Sequence, residues 1–150
     1  ECDLRHVLQE IMNLMGANLR HHKISLIENY DSSIGPILLD YDKIKQVIIN
    51  LLLNAIESQP NNGEIRVSTR KREDRVCICV SDNGKGISPS DLDRVFEPFF
   101  TTKLEGTGLG LANSKRIIDQ HGGKMRIESI LGKGTEVKIE IPVESNTSQE

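Results

Sequence analysis

Tryptophan is absent from the 150 residues, and two tyrosines and three phenylalanines leave aromatics at only 3%. Such a chain has little on which to stack nucleobases. Positive charge is not in excess either. Nineteen Lys and Arg face 22 Asp and Glu, for a net charge of −3, so there is no basic field to draw nucleic acid or anionic lipid. No apolar run approaches the ~20 residues of a membrane span, and no signal peptide is visible. Neither nucleic-acid nor membrane contact is expected of this stretch. Cysteine is scarce and odd in number. Cys77 and Cys79 lie two apart, Cys2 is remote, and no second ligand pair with metal-site spacing exists. Free thiols in a reducing cytoplasm are the simpler account. The chain begins with Glu1 rather than Met, so it is expected to be cut from a longer protein, which a membrane anchor elsewhere would not contradict.

The length suits one domain with a sizeable core, and 37% apolar with 27% charged residues is ordinary for a soluble fold. Asp3 is placed to cap a helix to about His22, with Leu4, Val7, Leu8, Ile11, Met15 and Leu19 at helical spacing. Short strands are expected at 24–28 and 37–39. Asp40 or Asp42 starts a second helix to about Ser58. That helix is apolar on most sides, yet Gln46, Asn50, Asn54 and Glu57 draw one polar line along it. Strands at 64–70 and 75–82 alternate and read as a hairpin. A short helical piece is expected at 91–96 and a third helix at about 107–120, stopped by Gly122 and Gly123. A last hairpin pairs 124–130 with 136–141, and 145–150 reads as a loose tail. Strands arriving largely as hairpins indicate an α+β fold, one mixed sheet of about five strands with three helices on one face.

Three places look chemical. In residues 80–88, VSDNGKGIS, a strand whose buried face carries Val76, Ile78 and Val80 ends on that face in Asp82. A carboxylate there needs a donor, such as a bound ring, and Gly84 and Gly86 would let one approach; equally, Asp-Asn-Gly is a turn signal. Asn50 and Asn54, one helical turn apart, can offer two amide oxygens to Mg²⁺, or can satisfy backbone and water. Gly106, Gly108 and Gly110, with Thr107 between them and Lys103 just before, open a helix whose N–H groups suit phosphate. The spacing is not that of a Rossmann turn, and no Walker Lys follows.

Taken together and in this order, these segments closely resemble the ATP-binding domain of bacterial sensor histidine kinases, within the gyrase/Hsp90/MutL-like ATPase superfamily. The matching stretches are QVIINLLLNAIES at 46–58, DNGKGI at 82–87, FEPFFTTK at 96–103 and GTGLGLA at 106–112, with 117–129 and 132–142 resembling the usual ending. The wording NAIES and FFTTK looks most like nitrogen-regulation and sporulation kinases. The resemblance implies a Bergerat-type two-layer α+β sandwich over 1–144, with a mobile ATP lid. It implies that Asp82 accepts from the adenine amine, with Gly84, Gly86 and Ile87 beside the ring and Thr135 helping through water. It gives Asn54 and Asn50 to Mg²⁺, and Lys103, Gly106, Thr107, Gly108, Leu109 and Gly110 to the phosphates. Phe96, Phe99 and Phe100 would pack the lid or dock it on a partner helix. Asn50, Asn54 and Lys103 would be the catalytic set. Two departures stand out: many members have Lys-Tyr at Glu57-Ser58, and an Arg at Thr101. Lys103 is the candidate replacement for that charge.

The superfamily's hydrolases carry Glu where this chain has Asn50, and an amide is no base. The implied function is therefore γ-phosphoryl transfer from Mg–ATP to a histidine on a separate helical dimerisation domain, with a response regulator downstream. None of His6, His21, His22 and His121 stands in the family's phosphoacceptor pattern, and His121 reads as a helix cap. Two alternatives remain. One is a serine kinase of the anti-sigma-factor type, which the extended 96–103 segment disfavours. The other is a nucleotide-sensing module without catalysis, which intact Asp82, Asn54 and lid glycines disfavour.

Overall fold

A computed structural model describes residues 3–59, 62–98 and 110–143. Helix α1 (Leu4–His21) leads to strand β1 (Ser25–Tyr30), then α2 (Tyr41–Glu57). Strands β2 (Glu64–Arg72) and β3 (Arg75–Asp82) follow, then one turn of helix α3 (Pro89–Leu92), α4 (Gly110–Gln120), β4 (Lys124–Ile130) and β5 (Gly134–Pro142). The five strands form one sheet in the order β1-β2-β3-β5-β4. Only β1 and β2 run parallel, because α2 carries the chain from one to the other; the remaining pairs are antiparallel. The expected α+β architecture stands.

One face of the sheet is apolar by strict alternation. Ile65 and Val67 of β2, Val76, Ile78 and Val80 of β3, and Val137, Ile139 and Ile141 of β5 are all buried. The helical stripes that cover them are those the spacing predicts: Leu4, Val7, Leu8, Ile11, Met15 and Leu19 on α1, and Ile44, Val47, Ile48, Leu51, Leu52, Ala55 and Ile56 on α2. They join in a single core. Between α1 and α2, the Glu10 carboxylate accepts from the Lys45 ammonium and the Tyr41 hydroxyl, which hold it below the ordinary carboxylate range. Asp40, not Asp42, caps α2, accepting from the N–H of Lys43 at 3.2 Å.

Four expectations need correction. Residues 37–39 form no strand, only an isolated bridge at Ile37. Pro36 has no N–H to give a ladder, and Leu38 is 70% exposed, so only Ile37 is fully buried while Leu39 packs partly against the core. β1 starts one residue later and ends two later than expected, because it pairs with β2 as far as Tyr30–Thr69. The helical piece at 91–96 is instead Pro89–Leu92, where Ser88 accepts from Asp91 N–H and the proline stands at the start. The hairpin turn is only Glu73–Asp74, with Glu73 at φ 53°, so β2 runs to Arg72.

Candidate nucleotide site

Strand β3 delivers Asp82 to the end of the sheet, in register between Ile65 of β2 and Thr135 of β5. Its Oδ1 accepts from the N–H of Gly84 at 2.8 Å and from the hydroxyl of Ser58 at 3.2 Å. Burial pushes the carboxyl above its usual value; the Gly84 N–H, the Ser58 hydroxyl and the Thr135 N–H pull the other way without cancelling it. The turn reading and the ligand reading of Asp82 therefore coexist. It closes its own turn through Gly84, and it remains a half-buried acid whose ionised form welcomes a further donor.

The loop after Asp82 is tied on three sides. Asn83 accepts the N–H of Glu64 on its side-chain oxygen at 2.8 Å, and gives its own N–H to the Glu64 carbonyl at 3.3 Å. Lys85 donates to the Ser58 carbonyl at 3.0 Å and accepts from Gly132 N–H at 2.6 Å. Ile87 N–H donates to Ser129 Oγ at 2.8 Å, and that oxygen also meets the Gly134 carbonyl at 2.9 Å and the Thr135 hydroxyl at 2.8 Å. A side chain on Gly84 would sit 2.6 Å from the Ser58 carbonyl, and one on Gly86 (φ 72°) would run into the Ile130 carbonyl. The close approach that demands glycine at these two positions is therefore an approach of protein to protein. It accounts for both residues without a ring.

Helix α2 links this end to a second one. Asn50, eight positions before Ser58 and so about 12 Å away along the axis, donates from Nδ2 to the buried hydroxyl of Ser114 on α4 at 3.0 Å. A side chain on Gly110, the first residue of α4, would sit 2.7 Å from the Asn50 amide. The start of α4 thus rests on Asn50. Nδ2 carries only donors, one of them given to Ser114, so Oδ1 is the Asn50 atom suited to a hard cation. Asn54 is half-buried one turn on. A cavity of about 400 Å³ opens between the two helices, lined by Gln46, Ile49, Asn50, Leu53, Gly110 and Ser114 among others. Among the described residues no group of three or more His, Cys, Asp or Glu is gathered for a metal. A metal here would rest on carboxamide oxygens and on its ligand's phosphates, a donor set that fits Mg²⁺.

Lys103, Gly106, Thr107, Gly108 and Leu109 lie outside the described residues, as do Phe99, Phe100 and the 145–150 tail. Phe96 is half-buried against the core, with the Lys115 ammonium 5.8 Å from its ring centre. Thr135 lies beside Asp82, and its hydroxyl is engaged by Ser129. Three contributors were missed from the sequence: Ser58, Ser114 and Ser129. Serine is too common at helix ends and strand edges for its position alone to point to a site. Cys77 and Cys79 lie on the other face of the sheet. Burial and Glu136 push the Cys79 thiol up to about 11, so it is not a poised thiolate. A larger depression of about 620 Å³ also lies on that face, around Arg66, Ser68, Arg70, Cys79 and Ser81, across the sheet from the face that α2 covers.

The family model described as "Histidine kinase-, DNA gyrase B-, and HSP90-like ATPase" matches residues 39–145, from the cap of α2 to beyond β5. The chain belongs to that family. As a member it is an ATP-binding domain, and both Asp82 and the α2–α4 contact fall within the matched region. Sensor histidine kinase ZraS of Salmonella typhimurium strain LT2 is 41% identical over 142 residues, which make up 94% of this chain and 30% of that protein. The nucleotide-free catalytic domain of histidine kinase ThkA superposes with a TM-score of 0.86 at 35% identity, covering 95% of this chain and 93% of that one. Full-length ShkA in complex with AMPPNP gives 0.87 at 28% identity, covering 98% and 31%. The chain therefore spans only 20–34% of the length of curated relatives such as ZraS and the sporulation kinases E and C. Among the described residues no helix is long and apolar enough to cross a membrane.

Proposed function

We propose that this chain is the phosphoryl-donating part of a sensor histidine kinase. It binds Mg–ATP along α2 and gives the γ-phosphoryl group to a histidine on a separate helical dimerisation domain, from which a response regulator is served. The observation that carries this reading is that one helix touches both ends of the site: Ser58 meets Asp82, and Asn50 meets Ser114 and the start of α4. A long ligand lying beside α2 would reach an acid at one end and a helix N-terminus at the other, which suits a purine base and its phosphates.

In this reading Asp82 accepts the 6-amino hydrogen of adenine. Ile87 and Thr135, fastened through Ser129, form the wall beside it. Asn54 and Asn50 hold Mg²⁺ through amide oxygens; when bound, it supplies positive charge against the phosphate oxygens. Gly106, Thr107, Gly108, Leu109 and Gly110 offer backbone N–H groups to the phosphates, and Lys103 adds a full charge. The Asn50 amide cannot take a proton from water at neutral pH, which supports transfer over hydrolysis. Transfer then rests on alignment and charge neutralisation. The bond from the γ-phosphorus to the bridging oxygen breaks as the lone pair of the acceptor imidazole nitrogen bonds to phosphorus; ADP departs with that oxygen, and the imidazole N–H proton passes to solvent. The reaction belongs to the cytoplasmic side, where ATP is.

Incubating the chain with radiolabelled ATP, with and without a cognate helical domain bearing the acceptor histidine, tests the proposal. Label is expected only on the helical domain, only with Mg²⁺, and not on the chain itself. Release of inorganic phosphate without a labelled domain would overturn the transfer reading. Calorimetry separates binding from transfer: no ADP binding would overturn the site.

A further inference from the structure

We propose that Ser58 is the positioning residue that makes this site prefer a purine bearing a 6-amino group to one bearing a 6-oxo group. The inference rests on the reading of Asp82 as the acceptor for the base. Ser58 closes α2 as its C-cap, and its Oγ lies 3.2 Å from Asp82 Oδ1 and 3.0 Å from the Ala55 carbonyl. A hydroxyl has one proton to donate, so these two acceptors share it. The Gly84 N–H reaches the same Oδ1 at 2.8 Å. Two protein donors thus converge on Oδ1, the Thr135 N–H also serves the carboxyl, and a ligand's donor is left the lone pairs these do not use.

The shared proton matters because Asp82 has two useful states. Ionised, a carboxylate only accepts hydrogen bonds. It takes the 6-amino group of adenine and repels the 6-oxo group of hypoxanthine. Protonated, it donates, and a 6-oxo group becomes the better partner. Burial favours the protonated state, whereas the Ser58 proton directed at Oδ1 favours the ionised one. With the proton turned to Ala55, Ser58 Oγ can instead accept from a protonated Asp82. The rotation of one hydroxyl therefore accompanies the choice of base. Ser58 also lies under Gly84, which its Oγ and its carbonyl both face, and it holds Lys85 through the carbonyl; the carbonyl contacts survive loss of the side-chain oxygen.

The test is calorimetry of the 150-residue chain with ADP and with IDP at neutral pH, alongside thermal melting. The unaltered chain is expected to prefer ADP. Ser58→Ala should weaken ADP by about fivefold and IDP by less, narrowing the ratio. Ser58→Thr, which restores the hydroxyl, should keep the ratio, and it carries the test alone if the alanine variant does not fold. In an Asp82→Asn background, Ser58→Ala should no longer alter the ratio. The proposal is overturned if Ser58→Ala keeps the original ratio, whether both affinities stand or fall together, or if a folded Ser58→Thr loses it. If the unaltered chain binds neither nucleotide, the assignment of the site itself fails. If it binds ADP and only the Ser58 ratio is unmoved, the failure is confined to Ser58.

Discussion

His121 accepts the backbone N–H of Asp40 on Nε2 at 3.2 Å, while its Nδ1 lies 2.8 Å from the Ile117 carbonyl. The carbonyl can only accept, so the proton sits on Nδ1 and Nε2 presents its lone pair. One ring thereby closes the end of α4 and fastens it to the cap of α2. His121→Ala removes both bonds and leaves a cap N–H without its acceptor. It should cost about 1–2 kcal/mol of stability, read from urea midpoints at unchanged m-value. Transfer to a histidine domain should persist at temperatures where the variant is folded. Abolished labelling of a folded variant would contradict a purely structural ring.

Asp82→Asn keeps shape and removes charge. ADP affinity should fall by about 1.5–3 kcal/mol, the range for a hydrogen bond to a charged group, as measured by calorimetry. An unchanged dissociation constant would remove Asp82 from the base-binding end.

The same residue gives a pH signature. Its carboxyl is raised in the folded state by burial. A raised acid costs stability wherever it is ionised in both states, and the cost vanishes below the unfolded value of about 3.8. Asp82→Asn should thus be relatively more stable than the parent near pH 7, with the difference shrinking as pH falls. ADP affinity of the parent should decline with acid before that of an ordinary surface carboxylate contact would. Parallel stability curves across pH 3–7 would refute the burial argument.

Asp31 shows the opposite sign. The Ser33 hydroxyl and the backbone N–H groups of Lys71 and Ser33 all donate to it, and they lower it to about 2. Its contribution is complete above the unfolded value and is lost as pH falls through about 2. Asp31→Ala should destabilise the chain at pH 5–7 and converge with the parent in strong acid. A constant difference down to pH 2 would show that the carboxylate is not what matters.

Gly110→Ala probes the other end of the site. The added carbon falls 2.7 Å from the Asn50 amide nitrogen and oxygen, so Asn50 must turn. Mg²⁺-dependent enhancement of ATP binding should drop several-fold while Mg²⁺-independent ADP binding changes less. Equal loss of both would mean that the clash is absorbed elsewhere.

Periodicity carried the fold well where burial enforces it. The stripes of α1 and α2 and the alternation of β3 and β5 could be read because each side chain is fixed by a core that tolerates no slip. The stretch 37–39 misleads because three apolar residues after a proline look like a strand, whereas only Ile37 is fully buried and Leu38 is exposed. Asp82 and the Asn pair were legible as candidates from their odd placement on apolar elements. Ser58, Ser114 and Ser129 were not, because each is recruited from a distant segment by tertiary packing. Gly84 and Gly86 are required by packing within the protein. Their spacing marks a tight loop, but Ser58 and Ile130 occupy the space beside them.

The contact of α2 with both Asp82 and α4 makes the helix a ruler. The eight positions from Asn50 to Ser58 set how far apart the two ends stand and on which side of the axis each faces. One residue inserted between them would lengthen the gap by only about 1.5 Å but turn one end by about 100° relative to the other. A chain so altered could keep its apolar composition and still be unable to hold both ends of one molecule. In the proposed site, the count of residues in that helix would matter to ligand recognition as much as their identity.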